Sequence, residues 1–183
     1  MMKDLLLVDV DDVLLGWAQA FKNWVISFKD LPTQDAVWEL EAARNWTLKE
    51  VLAKHLPHVV YEDLVTEFNT SPFFSDLAAI TGSIEAVSSL SNFCHIKSLS
   101  SCGDAEITQQ MRTNNLFEHF GKNVQSHCLP LGSCKKETLK RMTEDLSGPI
   151  FWVEDNFKNA QAGADLGLVS IYLSKCEPPE RHT

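Results

Sequence analysis

Lys3-Asp4-Leu5-Leu6-Leu7-Val8-Asp9-Val10-Asp11-Asp12-Val13 is the stretch that decides the fold. Its apolar run, residues 5–8, is continuous rather than alternating, the form of a strand covered on both faces within a parallel sheet. The run ends at once in acids, so the strand delivers carboxyl groups to its own carboxyl end. It is too short, and too closely followed by charge, for a signal-peptide core or a membrane span.

Outward from this strand, comparable runs recur at 93–100, 124–129, 149–154 and 168–173, with helix-length segments between the later ones. This order predicts an α/β fold with a doubly wound parallel sheet of the Rossmann type. Residues 14–90 read differently, as helices without a convincing strand. Trp17, Phe21, Trp24 and Phe28 recur at helical spacing before Leu31-Pro32. Thr47-Leu48-Lys49-Glu50 has the form of a capping box, and a helix is expected over 61–68, ended by Ser71-Pro72. Gly82-Ser83 should open a helix that carries Ile84, Val87 and Leu90 into the core. The expected organisation is a core of residues 1–13 and 83–176, a small all-helical cap of 14–82 inserted after the first strand, and a frayed tail, 177–183.

At 183 residues the chain is long enough for one core and short for two. A net charge of −9, from 16 Lys and Arg against 25 Asp and Glu, argues against duplex nucleic acid or an anionic membrane as partner, since both need clustered cations. A soluble, cytoplasmic protein is expected. Its five cysteines form no C-x-x-C pair, and they read as reduced, mostly buried thiols.

In open α/β sheets the ligand lies beyond the carboxyl ends of the strands. The first strand brings Asp9, Asp11 and Asp12 there, the second Ser100 and Ser101, the fourth Glu154, Asp155 and Asn156. Gly132-Ser133-Cys134-Lys135-Lys136 opens a helix after the third. Carboxylates about 4 Å apart repel by roughly 4 kcal/mol at an effective dielectric of about 20, so such a rim calls for a cation. An all-oxygen donor set suits Mg²⁺, and no His or Cys competes in favour of zinc. Either serine could be the working hydroxyl and either lysine the working ammonium. Lys135, four residues before Leu139, is favoured because Leu139 would pack inward and leave Lys135 at the helix start. The aromatic stripe reads chiefly as packing, with Trp17 and Phe73 or Phe74 as candidate walls for a flat ligand. Trp38 and Trp46 are expected to pack, and none of the six histidines has a paired spacing.

Taken together, Asp9-Val10-Asp11-Asp12-Val13, Ser100 at a strand end, Lys135 opening a helix, and Val153-Glu154-Asp155-Asn156 with Asn159 resemble the four motifs of the haloacid dehalogenase-like (HAD) phosphohydrolases, over residues 3–173. Ser71-Pro72-Phe73-Phe74-Ser75-Asp76-Leu77, Ile80-Thr81-Gly82-Ser83-Ile84-Glu85-Ala86-Val87 and Ser100-Ser101 are similar to the 5'(3')-deoxyribonucleotidases within that superfamily. Asp12 stands where those enzymes carry Gly, and Ser100 where Thr is commoner. The resemblance implies a HAD-like core and a Mg²⁺-dependent phosphatase acting on a small phosphorylated metabolite, with a nucleoside monophosphate the leading candidate. Asp9 would be the nucleophile and Asp11 the acid and base. Ser100 and Lys135 would hold the phosphoryl oxygens, and Ser101, Trp17 and Phe74 would contact substrate. Asp9, the Asp11 backbone carbonyl and Asp155 would hold the metal, with Glu154 and Asn159 as further candidates. Other readings are a 2-haloacid dehalogenase, which leaves Asp11 and Asp155 unexplained, a receiver domain, whose phosphoacceptor would lie where this chain is helical, and a binding module without turnover.

Overall fold

The computed structural model describes residues 4–44 and 47–173. Five strands form an all-parallel sheet: β1 (Asp4–Val8), β2 (Cys94–Ser98), β4 (Val124–Gln125), β6 (Ile150–Glu154) and β7 (Val169–Tyr172), in the order β4-β2-β1-β6-β7. The stretch around Leu5–Val8 is thus the central strand. Its side chains divide between two cores, as a pleat with period two demands. Leu6 and Val8 join one cluster with Phe21, Phe68, Leu116 and Phe120, while Leu7 faces Leu99, Leu139, Ile150 and Trp152 on the other side.

The second and third apolar runs do not form single strands. Leu99 still donates to the carbonyl of Val8, but β1 ends there. Ser100 donates instead to the carbonyl of His127, and β3 (Ser100–Ser101) pairs with β5 (Cys128–Leu129) as a separate two-stranded sheet. Both serines are therefore carried past the main sheet toward its carboxyl rim.

Between β1 and β2 lie α1 (Trp17–Phe28), α2 (Gln34–Ala42), α3 (Leu48–His55), α4 (Tyr61–Asn69), a 3₁₀ turn (Pro72–Asp76) and α5 (Ser83–Leu90). After β3 come α6 (Glu106–Phe120), α7 (Lys135–Thr143) and α8 (Phe157–Asp165). None of the described helices is long and apolar enough to cross a membrane. Trp17, Phe21 and Trp24 are buried as the helical spacing predicts, with Trp17 and Phe21 stacked at 4.8 Å and Phe68 edge-on to Phe21 at 5.5 Å. Such contacts strengthen an apolar core beyond the area they bury.

Several local expectations fail. Phe28, the last of the stripe, is exposed and leans on Phe73. Thr47 makes no box with Glu50: its hydroxyl accepts from the backbone N–H of Arg44 and donates to the Arg44 carbonyl, one turn earlier. In α5 only Val87 of the three predicted residues is buried, while Ile84 and Leu90 are exposed. Trp38 is 60% exposed and so is not a packing residue, and Trp46 lies outside the described residues. Among the described cysteines only Cys102 is buried.

Gly163 fixes the approach of α8 to the sheet. A Cβ there would lie 2.4 Å from Cδ1 of Trp152, a fully buried ring whose indole N–H donates to the carbonyl of Asn159 on the same helix. Overpacking of this kind costs about 1–3 kcal/mol, more than the roughly 1 kcal/mol of helix propensity that alanine adds. Gly163→Ala is expected to lower the thermal midpoint by several degrees; an unchanged or higher midpoint would show that Trp152 yields freely.

Candidate active site

The carboxyl rim of the sheet borders a cavity of about 400 Å³ lined by Asp9, Asp11, Asp12, Trp17, Tyr61, Ser101, Lys135, Glu154, Asp155 and Asn159, among others. Its floor is made where β1 and β6 end. The backbone N–H of Asp9 donates to the carbonyl of Val153, extending the ladder by one residue and setting Asp9 beside Glu154. Lys135, the first residue of α7, reaches between them with its ammonium 2.7 Å from Asp9 Oδ1 and 3.0 Å from Glu154 Oε2. Leu139 on the same face of α7 is fully buried, as its spacing from Lys135 predicts. Lys136 points elsewhere, into a 3.0 Å pair with Asp165, so of the two lysines it is Lys135 that reaches the acids of the cavity.

One carboxyl oxygen from each of Asp9, Glu154 and Asp155 lies within 4.8 Å of the others. Glu154 therefore belongs to the acidic cluster itself. It is fully buried, and its other oxygen accepts from the backbone N–H of Asn156. Asn156 is the helix cap, accepting from the N–H groups of Lys158 and Asn159, which leaves the Asn159 side chain on the cavity wall.

The lining holds six carboxyl groups, Asp9, Asp11, Asp12, Glu62, Glu154 and Asp155, against the single ammonium of Lys135 among the described residues. Glu62 pairs with Lys49 and Asp11 with Arg112. Three carboxyl groups that meet so closely, offering oxygen donors alone, fit a hard divalent cation such as Mg²⁺.

The titration behaviour follows from the same packing. Burial pushes Asp9 up to about 7; Lys135 opposes the shift and Glu154 adds to it. Burial works to strip the proton from Lys135, but Asp9 and Glu154 outweigh it and hold the ammonium above its ordinary value. Burial also raises Asp11, against the guanidinium of Arg112 and with the help of Asp9 and Asp12.

Asp12 adopts φ 60°, the left-handed conformation that explains why glycine suits this position. Its Oδ1 accepts from the N–H of Ala18 in the first turn of α1, so it braces the start of that helix. Ser100 is fully buried with its hydroxyl 3.5 Å from Asp11 Oδ2, whereas Ser101 lines the cavity. Ser101 Oγ is buried and has no hydrogen-bond partner among the described residues.

Of the expected aromatic walls, Trp17 is present, anchored by its indole N–H on Asn69 Oδ1 at 2.9 Å. Phe74 is not: it is fully buried beneath Arg112, and Phe73 packs on Phe28. The second aromatic wall is Tyr61, whose one visible signal was its place at the start of a predicted helix. Arg112 left no signal in the sequence, because a lone Arg in an amphipathic helix reads as a solvated residue.

No protein-family model matches the chain, and no curated protein matches it by sequence. Solved structures do. The HAD-hydrolase YfnB from Bacillus subtilis, bound to magnesium, aligns over 98% of this chain and 92% of its own, with a TM-score of 0.63 at 18% identity. The chain has the fold of HAD-family hydrolases. The L-2-haloacid dehalogenase PA0810 aligns over 99% and 89% of the two chains, with a TM-score of 0.59 and 13% identity. The HAD family enzyme BT-2542 from Bacteroides thetaiotaomicron, in complex with magnesium and inorganic phosphate, covers 98% of each chain at a TM-score of 0.52 and 15% identity. In this HAD-like fold the acids and Lys135 meet where the strands of the sheet end.

An acid whose pKa is higher folded than unfolded costs stability as it ionises, here as the pH rises from about 4 through about 7. A cation at the site removes that cost, and at low pH it must first displace the proton. Added Mg²⁺ should therefore raise the thermal midpoint more at pH 8 than at pH 5, and Asp155→Asn should remove most of the increment. Equal increments at both pH values, or an unaltered increment in the variant, would contradict the placement.

Proposed function

We propose that the chain is a Mg²⁺-dependent phosphohydrolase that cleaves a small phosphomonoester through an aspartyl-phosphate on Asp9. The observation that carries this reading is the meeting of Asp9, Glu154 and Asp155 with Lys135 at one cavity. Magnesium in YfnB, and magnesium with inorganic phosphate in BT-2542, support it by likeness of fold.

Asp9 Oδ1 is held by Lys135 and by the N–H of Val10 at 2.7 Å, which fixes the carboxylate for in-line attack by its other oxygen. As the Asp9 O–P bond forms, the bond from phosphorus to the ester oxygen breaks, and Asp11 supplies the proton that lets the alcohol leave. Asp11 then takes a proton from the water that hydrolyses the acyl phosphate, restoring both carboxyl groups. Lys135 and the Ser101 hydroxyl hold non-bridging oxygens, positioning and charge being most of what phosphoryl transfer asks of a protein. Mg²⁺ held by Asp9, Asp155 and the Asp11 backbone carbonyl, with Glu154 beside them, would neutralise charge on the phosphoryl group. Ser100 supports Asp11 from behind.

Trp17 and Tyr61, with Val65 and Leu131, give the cavity an apolar side suited to a flat base, which makes a nucleoside monophosphate the substrate we favour. Dehalogenases share the fold, but halide displacement has no alkoxide to protonate and no phosphoryl charge to neutralise, which leaves Asp11 and Asp155 without a role.

A screen of phosphate esters with and without Mg²⁺ should show metal-dependent phosphate release, with nucleoside monophosphates ahead of sugar phosphates, and none from Asp9→Asn. Ser101→Ala should raise KM by about tenfold or more, the worth of a hydrogen bond to a charged group, and Ser100→Ala should act mainly on kcat. Halide release from a 2-haloacid without phosphate release from any ester would overturn the reading.

A further inference from the structure

Arg112, in the middle of α6, is fully buried in its side chain and ion-pairs through Nη2 with Oδ1 of Asp11. The Phe74 ring covers the guanidinium, with Cζ 4.5 Å from its centroid. Nε and Nη1 have no hydrogen-bond partner among the described residues. A buried guanidinium satisfied at one nitrogen is a costly way to fill space, since apolar residues of similar volume do so at least as well. Arg112 does not line the cavity, so it does not meet substrate. The reacting group it touches is Asp11, whose other oxygen lies 3.5 Å from Ser100 Oγ and whose side chain keeps 27% of its surface open.

On the phosphohydrolase reading above, we infer that Arg112 is a positioning residue: with Phe74 beneath it and Ser100 opposite, it holds the Asp11 carboxyl in the one orientation that delivers a proton to the leaving oxygen. The Phe74 ring belongs to the 3₁₀ turn that leads out of the helical segment, and α6 packs against that turn. Asp11 is thereby braced from the helical segment as well as from the core. Misplacing a reacting group by about 1 Å can cost about a hundredfold in rate.

Leaving-group dependence separates this role from simple structural support. An alkyl monophosphate needs the proton from Asp11 when its P–O bond breaks, and p-nitrophenyl phosphate, whose phenolate leaves readily, needs it little. Because kcat/KM reports steps through formation of the acyl phosphate, it isolates the first proton transfer. Arg112→Gln should lower kcat/KM for an alkyl monophosphate by about a hundredfold and for p-nitrophenyl phosphate by less than about fivefold, with KM for both little changed. Arg112→Lys, which keeps the charge and part of the packing, should recover part of the alkyl loss and serves in its place should the Gln variant fail to fold. A loss of the same size on both esters, or none on either, in whichever variant folds, would overturn the inference. No phosphate release from the unmodified protein on any ester would instead overturn the phosphohydrolase reading on which it rests.

Discussion

The ammonium of Lys135, seated between Asp9 and Glu154, is the interaction on which the rest of the site depends. It joins three elements distant along the chain: the end of β1, the end of β6 and the start of α7. All three groups are buried, and an isolated carboxylate in such a place would carry a large desolvation cost. The same low-dielectric setting that makes an unpaired charge expensive makes the paired one directional, since the ammonium can satisfy both acids from one position alone. Trp152 lies under the ammonium at 5.6 Å, and the bare Gly163 lets α8 close over the ring. A packing detail on the far side of the sheet thus reaches the chemistry.

The helical segment after β1 is tied to this centre by polar bridges as well as by its aromatic cluster. Asn69, at the end of α4, accepts from the Trp17 indole and donates to the carbonyl of Cys102, just beyond the two serines. Trp17, Phe21 and Phe68 share one continuous apolar cluster with Leu6 and Val8 of the central strand. Apolar wall, serine strand and Asp9 are consequently parts of one packed body, an arrangement that, on the proposed function, would hold a flat ligand and its phosphate at a set distance.

Much of this was legible in the order of residues. The apolar run at residues 5–8, its period-two division between two cores and the acids that follow it announced a central buried strand, because a strand covered on both faces has no polar positions to spare. Asp9, Asp155 and Lys135 were legible by their places at element ends. What escaped was tertiary. Phe74 has the same local pattern whether it faces a cavity or a guanidinium, and Arg112 differs from a solvated arginine only in what α6 packs against. The break at Leu99 falls where β1 stops, which no local property of that run records. Ser100 and Ser101 alternate across a strand, and only the pairing of β3 with β5 decides which of them meets the cavity.

The central claim, that the carboxyl group ending the central strand is itself phosphorylated during turnover, is tested most directly by rapid acid quench with a phosphate ester and Mg²⁺, followed by peptide mapping in a mass spectrometer. The account predicts a transient phosphoryl adduct on Asp9 that, once substrate is withdrawn, decays at least as fast as turnover. An adduct on any other residue, or turnover with oxygen from water entering phosphate and no adduct on Asp9 at any quench time, would contradict it.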